Sequence, residues 1–392
     1  MAPPLLTLTN IALTFGSTPL LTDANMMIYS GERLCLVGRN GSGKSSFLKI
    51  AGGLIEPDKG EVFIKPGITS RYLPQEPDLT KFETIGDYIQ AGLQGADSAY
   101  RIPYLLDALG LDTTRSTAHL SGGEARRAAL IRILAPEPDI LMLDEPTNHL
   151  DLPAIEWLES ELKAMSSALI LISHDRRFLE SLSRKTIWMD RGETRELSHG
   201  FGEFESWRDD YLEQEQLEQH KLKRKIHREQ HWVVHGVSGR RKRNVRRLKE
   251  LGALREQVKS HQQAKGDVTF TTVGAAKSGK AVAEMINISK SFGERIIVKD
   301  FSIKVMRGER IGLVGPNGAG KTSLLKIMMG DLAPDSGNVK LGVGLEPLII
   351  DQKRESLNPD WTLSEALTDG GGDSVVLGQA TKHVQSLSLI HI

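Results

Sequence analysis

The octet Gly38-Arg39-Asn40-Gly41-Ser42-Gly43-Lys44-Ser45 recurs as Gly315-Pro316-Asn317-Gly318-Ala319-Gly320-Lys321-Thr322, an offset of 277 positions (38 to 315). The offset holds well outside the octets. Phe15-Gly16 maps onto Phe292-Gly293, Gly31-Glu32-Arg33 onto Gly308-Glu309-Arg310, Pro57-Asp58 onto Pro334-Asp335, and Gln75 onto Gln352. A period this long marks a duplicated domain rather than a solenoid, whose units run to a few tens of residues. The chain is therefore constrained to build one domain plan twice, and 392 residues leave room for both copies and a segment between them.

The 39% hydrophobic and 26% charged content is that of globular protein, which excludes disordered and fibrous classes. Aliphatic runs such as residues 168–172 are far shorter than the ~18 residues that cross a bilayer. Met1-Ala2-Pro3-Pro4 opens no secretory signal, so a soluble, cytoplasmic protein without membrane association is expected. The one cysteine, Cys35, lies in the apolar stretch 34–37 and reads as a buried strand residue; no disulfide can form within the chain. Fifty basic residues balance fifty acidic ones, yet within 221–249 twelve Lys or Arg accompany one acid, Glu229. The neutral total hides one strongly basic segment.

Residues 1–204 alternate short aliphatic runs with helical patterns and glycine turns, which predicts an α/β domain around a mostly parallel sheet. Residues 33–37 should be a buried strand feeding the first octet, and 139–143 a second that runs into Asp144-Glu145. Helical spacing over 102–109, closed by Gly110, suits a small helical subdomain ahead of Ser121. The linker spans 205–283: from about 205 to 266 glycine thins out, Gln, Glu, Lys and Arg dominate, and Val245, Leu248, Leu251, Leu254 and Val258 recur at helical spacing, while 267–283, rich in Thr, Gly, Ala and Lys, reads as a flexible exit. Two long helices are predicted there, with a break near residues 235–239 that places Arg240, Arg241, Lys242, Arg243, Arg246 and Arg247 near the tip of a hairpin. The second domain spans 284–392.

A glycine-rich loop between strand and helix cradles phosphate, because glycine lets successive N–H groups point one way while the helix N-terminus adds its dipole. Lys44 can then bridge β- and γ-phosphates and the Ser45 hydroxyl can ligate Mg²⁺, with Ser46 following in the helix; Lys321, Thr322 and Ser323 repeat the arrangement. ATP and Mg²⁺ are the expected cofactors. Asp144 and Glu145, adjacent carboxylates at a strand end, suit one metal-holding and one water-orienting role. The eleven histidines show no metal-ligand spacing with Cys35, so a zinc site has no support.

Downstream of the first octet come Leu120-Ser121-Gly122-Gly123-Glu124, then residues 140–151 (ILMLDEPTNHLD), then Ser173-His174-Asp175. With these motifs the first domain resembles the ATP-binding cassette family throughout. The resemblance implies that Asp144 holds Mg²⁺ through its water shell, that Glu145 polarises the attacking water, that Gln75 senses metal and γ-phosphate, and that His174 contacts the γ-phosphate. Phe15 resembles the aromatic that stacks on adenine, with Phe292 its counterpart. The family's domains pair head to tail, so Ser121, Gly122 and Gly123 are expected to complete the site of an opposing Gly315, Asn317, Gly318, Gly320 loop, to which Gln352 belongs.

Two cassettes on one chain, a basic helical linker between them and no membrane span look like the ABC-F group of translation factors, whose linker reaches the peptidyl-transferase region and P-site tRNA. Residues 240–248 resemble the linker of the bacterial Uup subfamily, which is associated with ribosome function or assembly and with DNA repair. Gln75 and Ser121 are 46 positions apart, too few for the extra helical arm of some ABC-F members. Residues 353–392 hold no second signature or acidic motif, so a truncated second cassette is expected, with apolar residues 311–314 exposed and ATP bound but poorly hydrolysed unless two first domains pair. The competing readings are the energising subunit of a membrane transporter and a DNA-binding repair protein.

Overall fold

The structure, a computed structural model, describes residues 3–93, 100–235, 251–254, 281–293, 295–342, 344–345, 348–349, 358, 361–368, 371–372, 374–377 and 380–383. Gln352 and the basic residues Arg240, Arg241, Lys242, Arg243, Arg246 and Arg247 lie outside the described residues. The chain divides into two compact units, Met1–Ala264 and Lys265–Ile392.

The first unit is α/β. Its strands are β1 (Leu6–Phe15), β2 (Thr18–Ile28), β3 (Arg33–Gly38), β4 (Lys59–Ile64), β5 (Ser70–Leu73), β6 (Ile140–Asp144), β7 (Ala168–Ile172), β8 (Lys185–Asp190) and β9 (Glu193–Leu197). They form one sheet in the order β4-β1-β2-β9-β8-β3-β7-β6-β5. From β8 to β5 every neighbour is parallel; β9 pairs antiparallel with β8 and parallel with β2 at Asp23–Glu193, and β4, β1 and β2 pair antiparallel with one another. The sequences explain the division. ILMLD of β6 and ALILI of β7 are buried at every position, as a strand covered on both faces requires.

Side chains of the central strands alternate between two cores. Leu34, Leu36, Ile140, Met142 and Ile170 face Phe47, Leu48 and Ile50 of helix α1 (Lys44–Ala51). Cys35, Val37, Leu141, Leu143, Leu169 and Leu171 face the opposite layer, where Leu130 and Leu134 of one helix meet Leu158, Leu162 and Phe178 of others. Helix α2 (Ile85–Gln90) and helix α3 (Ile102–Leu109) belong to that layer, and α3 ends where expected, at Gly110 with φ 60°. It is completed by α4 (Gly122–Leu134), α5 (Leu152–Ala164) and α6 (Arg176–Leu182). Each of these fully buried aliphatic or aromatic side chains contributes about 1.5–3 kcal/mol.

Helix α7 (Phe204–His235) begins at the edge of this core. Trp207 and Tyr211 pack edge-on against Trp188 of β8, with ring centroids 6.0 and 5.7 Å away, and Arg191 meets Glu215 at 2.7 Å. Beyond this root α7 is polar, and its mean composition matches a helix held at one end. Of the second predicted linker helix, residues 251–254 are described, and they are helical.

In the second unit β10 (Ala281–Phe292) pairs antiparallel with β11 (Arg295–Met306) and β12 (Ser336–Leu341), and the helix Lys321–Met329 covers them. The duplication extends to the backbone. Asn10 (φ 53°) and Asn287 (φ 52°) occupy the same irregularity, where the register of β1 shifts between Leu8 and Ile11 and that of β10 between Met285 and Ile288. An extra residue there lets buried positions three apart face one core. Asp58 and Asp335 accept from the backbone N–H of Thr14 and Ser291, both at 2.7 Å. The second core is small: Met285, Ile288, Leu324 and Ile327. Residues 309–316 form no strand, and Val314 is 86% exposed, whereas its counterpart Val37 is buried in β3. The apolar stretch 311–314 is thus exposed, as the sequence predicts.

Candidate functional site

Strand β3 delivers the chain into the first glycine-rich loop. Gly38 must be glycine, since a Cβ there would lie 2.5 Å from the Met189 carbonyl oxygen. Gly43, at φ 95°, caps α1 in a left-handed conformation open to glycine, and the chain then turns into Lys44-Ser45-Ser46 with the first-turn N–H groups directed at the loop. Asn40 and Gly41 form the exposed crest. The Ser42 hydroxyl is buried without a hydrogen-bond partner among the described residues. The Lys44 ammonium donates to the carbonyls of Gly38 and Arg39, both at 2.9 Å, so it is folded over the loop. The second loop repeats this: Lys321 donates to Gly315 at 2.7 Å and Pro316 at 2.8 Å, Gly318 and Gly320 take φ 76° and 91°, and Thr322 and Ser323 begin the helix.

The acidic pair faces the first loop. Asp144 closes β6 at 1% exposure and accepts from the Tyr72 hydroxyl at 3.2 Å; burial, then the Asp144 charge, pushes the Tyr72 phenol up. Glu145 is 4% exposed and takes φ 53°, a left-handed conformation that costs a non-glycine residue on the order of 1–3 kcal/mol. Its N–H donates to Ile172 at 2.8 Å, which ties the turn to β7. Burial raises the Glu145 carboxyl above the usual carboxylate range, opposed by His174 and Lys44. Burial lowers the Lys44 ammonium, opposed by Glu145 and Asp144. One cation and two carboxylates therefore share a single partly desolvated field.

His174 joins them. Its backbone N–H donates to one Glu145 oxygen at 3.2 Å and its Nε2 lies 3.4 Å from the other, while the imidazole remains largely exposed. The Gln75 carbonyl reaches the same group through Arg126, which donates to it at 3.2 Å, and the Gln75 side chain is exposed. Ser121 is the N-cap of α4: its hydroxyl accepts from the Glu124 N–H at 3.3 Å, and the Glu124 carboxylate accepts from the Ser121 N–H at 2.9 Å. Ser121-Gly122-Gly123-Glu124 is thus a capping box, which holds Ser121 and Gly122 at the surface and Gly123 beneath them. A Cβ on Gly122 would meet the His149 ring at 3.6 Å. Phe15 ends β1 at 57% exposure, and Phe292 ends β10 at 50% with the Lys290 ammonium 5.6 Å above its ring.

The donors beside the first loop, the Ser45 hydroxyl and the Asp144 carboxylate, are hard oxygens, and with the buried unpartnered Ser42 hydroxyl they fit a phosphate-bound Mg²⁺ rather than a metal that prefers nitrogen or sulfur. Cys35, buried and 3.3 Å from the Thr186 hydroxyl, has its thiol pushed up by burial and is a core residue. Two residues that sequence reasoning passed over are part of the site, Tyr72 and Arg126. For the second, burial was legible, since the 3.6-residue period of α4 places Arg126 on the buried stripe of Gly123, Leu130 and Ile133, but its carbonyl partners, from segments far along the chain, were not.

The family model described as ABC transporter matches residues 21–148 and 298–364. The ATP-binding protein Uup of Caulobacter vibrioides is 45% identical over 383 residues, covering 97% of this chain and 62% of that protein. Uup of Escherichia coli strain K12 is 34% identical over 412 residues, covering 95% of this chain and 65% of that one. The energy-dependent translational throttle protein EttA of the same strain is 31% identical over 404 residues, with 92% of this chain and 72% of EttA covered. The chain therefore spans slightly less than two thirds of the length of these Uup relatives. Among the described residues no helix is long and apolar enough to cross a membrane. With the phosphate loop, the capping-box signature and the acidic strand end in one unit, this chain belongs to the ABC-F family of ATP-binding cassette proteins.

Proposed function

We propose that the chain is an ATPase of translation or ribosome assembly, in which binding of ATP and Mg²⁺ and closure of the cassettes reposition the basic linker on ribosomal RNA or tRNA. The observation that carries the chemistry is the shared field of Lys44, Asp144 and Glu145 at the first loop. Mg²⁺, when bound, would neutralise charge on the phosphate oxygens, held by Ser45 and by Asp144 and Gln75 through its water shell. Lys44 leaves the Gly38 and Arg39 carbonyls and donates to the β- and γ-phosphates. Glu145, with its raised affinity for protons, orients the water that attacks the γ-phosphorus and takes its proton as the bond to the β-phosphate oxygen breaks. His174, anchored on Glu145, presents its exposed imidazole to the γ-phosphate. The second loop binds ATP through Lys321 and Thr322.

These 392 residues contain one Ser-Gly-Gly signature and one Asp-Glu pair. For this polypeptide alone, turnover is proposed to require two copies paired through their first cassettes, so the rate per molecule rises with protein concentration. A substantial rate independent of concentration would rule that out.

Support for the ribosomal partner comes from the name of the EttA relatives, energy-dependent translational throttle protein, and from twelve bases against one acid over residues 221–249. Like charges at that density repel on neighbouring helical turns, and phosphates relieve the repulsion. Co-sedimentation of the Glu145→Gln variant with ribosomes tests the proposal. ATP-dependent retention, weakened by neutralising Arg240, Arg241, Lys242 and Arg243 and lost steeply with salt, is expected. Retention on branched DNA but not on ribosomes would transfer the proposal to DNA repair, and retention on membranes to a transporter subunit.

A further inference from the structure

Among the described residues Arg126 is the largest fully buried side chain, at 1% exposure, and both terminal nitrogens of its guanidinium are spent on backbone carbonyls. One nitrogen, Nη1, donates to Pro74 and, at 3.2 Å, to Gln75; the other, Nη2, donates to Asp144 at 2.6 Å and Glu145 at 2.5 Å. Three separate segments meet on one planar fork: the loop after β5, the turn after β6, and the first turns of α4 beginning at Ser121. A lysine cannot reproduce this, because its three donors radiate from one nitrogen at the end of a flexible stem.

Burying a cation among neutral carbonyls is expensive. Burial brings the Arg126 guanidinium down to about 10, opposed by the Asp144 and Glu145 charges on the other side of the same turn. A leucine or methionine would fill the space more cheaply, so the charge and fork geometry are retained for what they hold. What they hold is the pair of segments that carry every proposed metal-side group except Ser45.

We infer that Arg126 is a positioning residue of the first cassette: it fixes the Gln75 loop and the Asp144-Glu145 turn at one separation, so that Mg²⁺-nucleotide is recognised by a preformed site, a role that rests on the first cassette taking MgATP. Buried at 1% exposure with both terminal nitrogens on backbone carbonyls, Arg126 acts through the segments it holds and not by its own contact with metal or nucleotide. Its removal should therefore affect the metal-dependent part of binding and spare the part supplied by the phosphate loop.

Binding of a fluorescent ATP analogue with excess EDTA and with Mg²⁺ separates the two, using the Lys321→Ala background to isolate the first site. Arg126→Gln should lose ~10-fold or more of the Mg²⁺-induced tightening while affinity in EDTA stays within about 2-fold, the scale seen when outer-shell partners of metal sites are removed. Arg126→Lys should fall between. Arg127→Gln, which removes a hydrogen bond of 3.0 Å to the Leu109 carbonyl from the same helix, should keep the full metal effect. Arg126→Gln with a cooperative melt and an unchanged Mg²⁺ effect would overturn the inference. If that variant does not fold, the unmodified chain decides: adding Mg²⁺ to the ATP-bound protein should slow amide exchange at 75–76, 144–145 and 123–130 together, and slowing that omits 123–130 would also overturn it. A chain that binds no ATP in either condition refutes the MgATP reading instead.

Discussion

Glu145 and His174 meet at two points: the His174 N–H donates to Glu145 Oε2 at 3.2 Å, and His174 Nε2 lies 3.4 Å from Glu145 Oε1. Two contacts from one residue fix the plane of a carboxylate, and this one sits on a backbone already forced to φ 53°. A group held that firmly is suited to orienting a water rather than to following a metal. Glu145→Gln keeps the shape and both contacts but cannot take a proton. The variant is expected to bind ATP as tightly as the parent and to lose ~10²-fold or more of its turnover, the ordinary contribution of a general base. Equal turnover in a phosphate-release assay would remove Glu145 from the chemistry.

Both phosphate loops fold a lysine over their own carbonyls, Lys44 at 2.9 Å and Lys321 at 2.7 and 2.8 Å. If both loops accept nucleotide, calorimetric titration should count two ATP per chain. Lys44→Ala and Lys321→Ala should each leave one, and the double variant none. A parent stoichiometry of one that only Lys44→Ala abolishes would restrict binding to the first cassette.

Phe47 is fully buried beneath the sheet, between α1 and Leu34, Leu36 and Met142. Phe47→Ala should destabilise the first unit by about 3–5 kcal/mol, through the lost transfer energy and the cavity left behind. The second unit has its own small core around Leu324 and Ile327, so its transition in urea should stay where it was. A shift of both transitions would mean that the two units unfold as one.

How much of this was legible follows the length scale of each signal. The phosphate loops, the strand into Asp144 and the helix over 102–109 are local patterns, and each appears where periodicity and glycine placed it. The matched irregularities at Asn10 and Asn287 were written in the repeat but not readable, because a bulge is set by which strand lies alongside. Tyr72 and Arg126 were missed for the same reason. A tyrosine 72 positions from its carboxylate, or an arginine spent on four carbonyls from two distant segments, has no spacing rule. The capping box in Ser121-Gly122-Gly123-Glu124 is readable from the letters alone, a serine followed three positions later by a glutamate.

The acidic limb of the pH–rate profile should expose Glu145 directly. Burial, which disfavours the carboxylate, raises its affinity for protons, and His174 is the largest influence in the opposite direction. Only the ionised form can accept a proton from water, so turnover falls as pH drops through the raised value, and the limb must lie above the ~4.3 of an ordinary glutamate. His174→Ala removes the opposing imidazole but keeps the backbone N–H. Nothing then offsets burial as strongly, and the limb should move to higher pH, alongside whatever is lost through the γ-phosphate contact. Stability has a matching sign. A carboxyl whose folded value is raised is relatively favourable when protonated, so its contribution is greatest at low pH and declines as pH rises through the folded value. Glu145→Gln should therefore melt higher than the parent at pH 8, with the advantage shrinking toward pH 5. Turnover profiles from pH 5 to 9 and parallel melts check both; a limb that moves down in His174→Ala, or an advantage that grows on acidification, would show that burial does not govern this carboxylate.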